Sequence, residues 1–326
     1  MATTLPVYTE TINNRFVQTF FEIRAQAIDN ILNATVVSAA LKDAGRLVSK
    51  RGGKLITRTV YYNVPTDQVQ AVVKGDTLGM GESEAETLAM WRWRYLTIPV
   101  QRSTLDDQEN SGPDQIKSYI SDRLTKARDA MGQVQETDLL RAEDTTEIAH
   151  KHMQSINDIV PAFANRATGT YGGIARSNSW WQPQYKQLTL PKEVNLLSDM
   201  KNLNNTCGAN KNYPDLWLTD QTMFELYEEF GLDQSQIVKG GAGALLDLGF
   251  EVLRFKGKPL VWTPNMTAGE MLALRLADME WVYDPQYWMQ MSNFKDIPNQ
   301  FEMVAHILST CNLISSRLKH MGRLYN

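Results

Sequence analysis

Few side chains in this sequence stand at the spacings that chemistry needs. Gly240-Gly241-Ala242-Gly243 is the first candidate, because closely spaced glycines let backbone N–H groups curl around a phosphate. The dinucleotide-binding pattern, however, requires a third glycine where Leu246 stands, a strand just before it and an acidic residue later. No Lys-Ser or Lys-Thr follows to complete a phosphate loop, so Lys239 to Gly243 reads as a flexible connection. His150 and His152, with Glu147 nearby, are the metal-ligand candidates. Two positions apart on a helix they diverge, and only on a strand could they share an ion. His306 and His320 are remote in sequence and no Cys or Asp cluster offers a third ligand, so surface histidines are expected. There is no Gly-x-Ser-x-Gly elbow, neither cysteine lies in a recognisable nucleophile setting, and Glu228-Glu229 and Asp106-Asp107 fall in ordinary solvated stretches. The sequence therefore offers no catalytic residue, no cofactor site and no metal site, and the expectation is a protein that is not an enzyme.

Composition narrows the remaining classes. A length of 326 residues allows two domains or one elaborated domain, and 43% hydrophobic with 21% charged residues is enough for a sizeable core. A net charge of −4 with no basic run argues against sequence-specific grip on nucleic acid, which needs a cationic surplus. Cys207 and Cys311 are far apart and fit a reducing compartment. Met1 to Pro6 has no basic region followed by an apolar run, and nothing approaches the ~18 apolar residues of a membrane helix. Asn33-Ala34-Thr35 and Asn265-Met266-Thr267 match a glycosylation pattern by chance in that setting.

The elements are more informative than the side chains. From Arg51 to Ser103 the sequence reads as one long two-stranded hairpin. Lys54 to Tyr62 is rich in β-branched and aromatic residues, and Trp91-Arg92-Trp93-Arg94-Tyr95 to Val100 alternates aromatics with cations. Between them lie Gly75, Gly79, Gly81, Glu82, Glu84 and Glu86. An isolated ribbon is marginal in water, so this one is expected to complete itself against another subunit through Arg58, Tyr62, Trp91, Arg92, Trp93 and Arg94. Ahead of it, residues 8–48 carry Phe16, Phe20, Ile23, Ala27 and Ile31 on one helical face. That arm is either a core helix or a contact with a neighbouring chain, and Arg51-Gly52-Gly53 is expected to end it. Pro113 and Asp114 open a helix through Ile120, Leu124, Ala127, Met131 and Val134 to about Glu143, a spine ~45 Å long.

Further along, strand signals at Leu188–Leu190 precede a helix through Leu196, Met200 and Leu203. Leu216-Trp217-Leu218 is a buried strand, and Thr219-Asp220 caps a helix that Gly231 should end. Lys256-Gly257-Lys258 turns a hairpin between Phe250–Phe255 and Pro259–Trp262, Met271–Leu276 is a strand, and Phe301 to Leu324 reads as one long strand. The order is α+β, without the regular alternation of a parallel sheet. Trp180 and Trp181 are adjacent in a polar setting. If extended they cannot share one core, so either one anchors an interface or both are buried within the subunit.

At these residues the chain resembles a known family. Tyr171-Gly172-Gly173-Ile174-Ala175-Arg176, followed by Trp180 or Trp181, is similar to the Tyr-Gly-Gly-Ile-x-Arg signature of tailed-bacteriophage major capsid proteins. Pro214 to Gln221 with Phe224 and Tyr227, the Gly249-Phe250 to Pro259-Leu260 hairpin, Asn299-Gln300 and Gly322-Arg323-Leu324 resemble later parts of the same family. These matches span about residues 165–326.

The resemblance implies the Hong Kong 97-type α+β capsid fold. It implies an N-terminal arm at 1–50, an extended loop at 51–105, spine helix and peripheral domain at 106–189 and again at 291–326, and an axial domain at 190–290. It implies self-assembly into hexamers and pentamers of an icosahedral head around double-stranded DNA, with Tyr171, Gly172, Gly173, Arg176, Trp180 and Trp181 at interfaces. The partners it implies are copies of the chain, a separate scaffolding protein, a portal and a decoration protein, with no membrane. The virion is the implied location, after assembly in the host bacterial cytoplasm. Lys74 lies near the hairpin tip, but nothing local marks it for the cross-linking known in the family. Two rivals are a nanocompartment shell of the encapsulin kind and a soluble oligomeric enzyme using Gly240–Gly243.

Overall fold

The computed structural model describes residues 36–64, 66–77, 84–103, 119–143, 151–208, 212–234, 253–298 and 300–326. The expected helical arm with Phe16 and Phe20, the helix entry at Pro113, the glycine connection and His150 lie outside them.

In chain order the elements begin with α1 (Val36–Asp43), β1 (Leu47–Ser49), β2 (Leu55–Tyr61), β3 (Glu86–Arg92), β4 (Arg94–Ser103) and α2 (Tyr119–Leu140). The middle holds α3 (Ile156–Ile159), β5 (Thr170–Tyr171), β6 (Ile174–Ala175), β7 (Gln184–Gln187), α4 (Lys192–Cys207), β8 (Leu216–Thr219) and α5 (Gln221–Gln234). The remainder is β9 (Leu253–Phe255), β10 (Lys258–Trp262), β11 (Met271–Leu274), β12 (Met279–Tyr283), β13 (Gln290–Met291), β14 (Lys295–Asp296), β15 (Glu302–Ser315) and β16 (Gly322–Tyr325).

Strand β15 organises the first sheet. Along one edge it pairs antiparallel with all of β4, from Glu302 opposite Ser103 to Cys311 opposite Arg94. Along the other it takes β14, β13 and β12 in succession, and β1 adds in parallel outside β12. The buried side at its start is Ala305 and Ile307, while Val304 and Leu308 are half-buried and His306 is exposed, and from Ser309 onward both faces are covered. Helix α2 lies across β4 and β15 as a spine, with Ala127 and Met131 against Val100 and Ile307. Val134 is off that stripe and exposed. The last turns bury Gln135, Glu136 and Asp138 instead, each with a partner: Ser309 Oγ at 3.0 Å, the Val37 and Ser38 amides, and His152 at 3.1 Å.

The second sheet runs β7-β16-β11-β8-β10-β9. All of β8 is buried, as expected of its apolar run, with Trp217 among Met200, Met223, Phe224 and Phe255. The β9–β10 turn places Lys256 at φ 49° and Gly257 at φ 78°, the two positive values of a two-residue hairpin turn.

Several boundaries differ from the sequence reading. Helix α1 stops at Asp43, with Gly45 in the left-handed region, and Leu47–Ser49 is a strand; Arg51-Gly52-Gly53 ends nothing helical. The segment 91–100 is two strands in two sheets, since Asn312 Nδ2 donates to Arg92 O at 2.9 Å where the chain passes from β3 to β4. The strand at 188–190 lies earlier, at Gln184–Gln187, and α5 runs through Gly231, a residue that costs a helix interior only about 1 kcal/mol. The expected single strand from 301 to 324 is β15 and β16, which belong to different sheets. The division at 190–290 also cuts across sheets, because β12 belongs with β15 while β16 returns beside β11.

Gly322 shows why that return is tight. A Cβ there would stand 2.7 Å from Leu203 Cδ1, 2.9 Å from Cys207 Sγ and 3.0 Å from Gln184 O, so α4 packs directly on the strand backbone. Gly322→Ala is expected to lower unfolding free energy by about 1–3 kcal/mol, read from urea denaturation, because the buried neighbours must shift.

Candidate assembly surface

The hairpin β2–β3 has two unlike faces, fixed by its register. Ile56 opposite Trp91 and Val60 opposite Thr87 put Ile56, Val60, Ala89 and Trp91 on an inner face, all buried within the subunit. Arg58 shares that face and donates to Glu280 from Nη2 at 2.5 Å and Nε at 3.1 Å, tying the hairpin to β12. The outer face carries Thr57, Thr59, Tyr61, Glu86, Leu88, Met90 and Arg92. Tyr61 is 72% exposed, Leu88 49% and Met90 41%, so apolar surface faces outward along both strands. The connection beyond adds Val64, Val69, Val72 and Val73, all exposed. One turn there is held by Asp76 Oδ2, which accepts from the Val73 amide at 2.7 Å. The far edge of β2 has no strand partner among the described residues. Apolar side chains gathered on one exposed face are the kind of surface that interaction sites use.

The inner face is seated on the β5–β6 turn. Gly172 and Gly173 have φ of 60° and 75°, the left-handed conformation that glycine adopts without penalty. A Cβ on Gly172 would lie 2.9 Å from the Trp91 ring, so the indole rests on bare backbone. The Met90 amide donates to Gly172 O at 2.9 Å, continuing the ladder from β3 into the turn. Tyr171, 1% exposed, meets Trp91 edge-on at 5.7 Å, and its hydroxyl accepts from the Ser315 amide at 2.9 Å, at the end of β15. Trp181 Nε1 donates to Tyr171 O at 3.0 Å. Arg176 is buried, donates to Asp158 O and lies 5.6 Å from the Tyr171 ring.

The site residues expected at interfaces thus divide. Trp91, Trp93, Arg94, Tyr171, Gly172, Arg176 and Trp181 are buried inside the subunit, and Gly173 is exposed at the turn. Ser179–Trp181 is a short 3-10 turn, not an extended segment, so Trp181 enters the core while Trp180, half-buried, stacks on Tyr62 at 4.8 Å. Arg58 and Tyr62 are half-buried and only Arg92 of the cations is fully outward. The outward residues that sequence reasoning passed over are Tyr61, Leu88 and Met90. The alternation of β2 and β3 contained them, but the tryptophans drew the reading to the face that packs on the subunit.

At the base of the hairpin, Lys54, Leu55, Arg92, Trp93, Arg94, Tyr95 and Lys151 line a cleft of about 830 Å³. Its charged lining is all cationic. Trp93 Nε1 donates to Gly53 O at 2.8 Å and fixes one wall. His152 is exposed and pairs with Asp138; among the described residues no cluster of His, Cys, Asp and Glu could hold a metal ion. Cys207 and Cys311 are buried free thiols pushed up by burial, to about 12 and about 11. No described helix is long and apolar enough to cross a membrane.

Glu136 fastens the start of α1 to the spine. Its carboxylate accepts from the Val37 amide at 2.8 Å and the Ser38 amide at 2.9 Å, where a helix leaves amides without internal partners. Burial raises its pKa above the ordinary 4.5, and the two amide bonds oppose that shift.

No family model matches the sequence, and no curated protein matches it. Solved structures do. The capsid asymmetric unit of cyanophage A-1(L) aligns over 93% of this chain and 95% of its own, at 15% identity and a TM-score of 0.65. The capsid of the native GTA particle aligns over 92% of each chain at 10% identity and a TM-score of 0.58. The holo-SrpI encapsulin complex of Synechococcus elongatus aligns over 92% and 91% at 12% identity and a TM-score of 0.55. The chain therefore has the Hong Kong 97-type α+β fold that its sequence resemblance implied.

Two outcomes are expected. Gly172→Val should destabilise the subunit by about 2–4 kcal/mol in urea denaturation, since it combines a strained φ with a clash on Trp91. Glu136 takes up a proton on folding, so its contribution is fullest below the ordinary carboxylate pKa and is lost as pH rises through its raised folded value. Compared with Glu136→Gln in urea titrations, wild type should lose relative stability as pH rises from about 4.5 toward 7.

Proposed function

We propose that this chain is a major capsid protein that assembles with copies of itself into the hexamers and pentamers of an icosahedral phage head around double-stranded DNA. The observation that carries the reading is an outward apolar hairpin face, anchored at its base and left uncovered by the described residues, in a fold shared over nine-tenths of its length with capsid subunits. Burying such a face on the next subunit is a heterologous contact, which closes into rings where the rotation allows.

On this reading residues 54–93 are the extended loop, α2 is the spine helix, the β15 sheet is the peripheral domain and the β8 sheet is the axial domain. Residues ahead of α1 form the arm. A separate scaffolding protein, a portal and a decoration protein complete the particle, which is built in the bacterial cytoplasm and ends as the virion. Net charge of −4 suits a container that does not grip its DNA. The likeness to an encapsulin supports a second reading, a nanocompartment shell around protein cargo.

Electron microscopy of the expressed protein, alone and with candidate scaffolds, is expected to show closed shells. Nucleic acid inside particles purified from infected cells supports the head, and protein cargo supports the compartment. A small closed oligomer with no shells under any condition rejects both. Replacing residues 66–83 with a short Gly-Ser linker should leave a folded, soluble subunit by circular dichroism and abolish shells; intact shells from that variant would remove the hairpin from the mechanism.

A further inference from the structure

The outer face of β3 is polarised along its length. It begins with Glu86, continues through Leu88 and Met90, and ends with Arg92, all exposed. Glu84 extends the acidic end by one further alternate position and is also exposed. Arg92 opens onto the cationic cleft with Lys54, Arg94 and Lys151. Lys54, Arg92 and Lys151 are exposed and form no ion pair with a described residue. The two poles of one strand are ~20 Å apart at ~3.3 Å per residue, beyond direct contact, so a subunit cannot pair its own acidic end with its own base.

We infer that the cleft at the base of the hairpin is a docking site for a second copy of this chain, and that it receives the Glu84 and Glu86 carboxylates of that copy's hairpin. The inference rests on the shell reading and names the partner chemistry of its contact. Charge complementarity selects the occupant: three exposed cations and the buried Arg94 line a concave site with no carboxylate among the described residues, and the same chain presents the exposed carboxylates of Glu86, which opens β3, and of Glu84, two residues ahead of it. The Tyr62 amide donates to Ala85 O at 3.0 Å, which carries the extended pairing one step past the end of β3, so the two carboxylates lie close enough to enter one cleft together. A polyanion such as nucleic acid would meet the same cations. It is disfavoured because Trp93, the larger aromatic of the lining, is buried and committed to Gly53 O, which leaves one exposed ring, Tyr95, for base stacking. The contact is head-to-tail, acidic end to basic base, and the charged poles fix its register.

The test is charge exchange in the full-length protein, with particle yield read by sedimentation and microscopy. Glu84→Lys/Glu86→Lys and Arg92→Glu/Lys151→Glu should each cut shell yield at least about tenfold at low salt, where exposed charges are least screened. The four substitutions together should restore yield, because the poles are exchanged rather than lost. A second measurement does not need shells: Glu84→Cys protein mixed with Lys151→Cys protein should give a disulfide heterodimer under mild oxidation, since both native cysteines are buried. Shells in wild type with unchanged yield in both reversed variants would overturn the inference and leave the shell reading intact. Normal assembly of Arg92→Glu/Lys151→Glu with loss of packaged nucleic acid would overturn it in favour of the polyanion. No shells and no heterodimer from otherwise folded protein would overturn both.

Discussion

A two-stranded ribbon projecting into water holds its shape only if something outside it holds its base, and here that base is the indole of Trp91 lying on the bare backbone of Gly172. The contact joins three elements far apart in sequence: the hairpin through Trp91 and the Met90 amide, the β5–β6 turn through two left-handed glycines, and the end of β15 through Tyr171 and Ser315. Full burial of an aromatic side chain is worth ~1.5–3 kcal/mol, and it adds to the burial of Ile56, Val60 and Ala89 along the same seven-residue ladder. Arg58 and Glu280 add a second tie, at partial exposure, where an ion pair contributes less. The consequence is a cantilever: one face is held by the subunit, and the other keeps Tyr61, Leu88 and Met90 in solvent.

The two sheets behind it share one apolar cluster, in which Leu216, Leu218 and Leu272 of the second sheet join Trp281 and Leu313 of the first, and buried polar groups brace its margin. Arg323, on β16, is 3% exposed and reaches Asn157 Oδ1 at 2.5 Å and Glu270 Oε2 at 3.3 Å. Arg176 and Arg141 both meet Asp158, through its carbonyl and its carboxylate. Burial raises the Glu270 pKa, and the guanidinium of Arg323 works against that shift. Buried ionic groups of this kind add little net stability, because desolvation offsets attraction, but breaking one partner is costly. They suit a joint that must hold a single geometry. The Gly322-Arg323-Leu324 run is intelligible on these terms: glycine admits α4, arginine reaches the joint, and leucine enters the second core.

What could be read from sequence was whatever local chemistry decides. The Lys256-Gly257 turn, the wholly apolar β8 and the periodic stripe of α4 each carry their own signal, and the Tyr-Gly-Gly run carried the fold. What could not be read was whatever depends on a distant partner. Trp91 and Trp93 look alike in sequence as a ribbon's aromatic face, yet one seats on Gly172 and the other bonds Gly53, across a sheet boundary that only Asn312 marks. Glu136 reads as one more acid on a helix until two amides of α1 are found above it. The outward face was legible in the alternation of β2 and β3. Choosing which of the two faces lay outward required the body against which the other one packs.

That choice bears on how such a contact can be specific. Apolar surface attracts without direction, and a ribbon carrying only Tyr61, Leu88 and Met90 would tolerate a slip of two residues, which returns the same face to its partner. Charged ends remove the tolerance. Sliding by two residues along β3 moves a carboxylate by ~7 Å out of reach of the cation it should meet, and brings like poles closer. Electrostatic complementarity chiefly sets register and rejects wrong pairings, while the apolar middle supplies most of the affinity. A strand face that reads acid, apolar, base therefore encodes both strength and alignment in one short segment, provided that the anchor at Gly172 keeps that face turned outward.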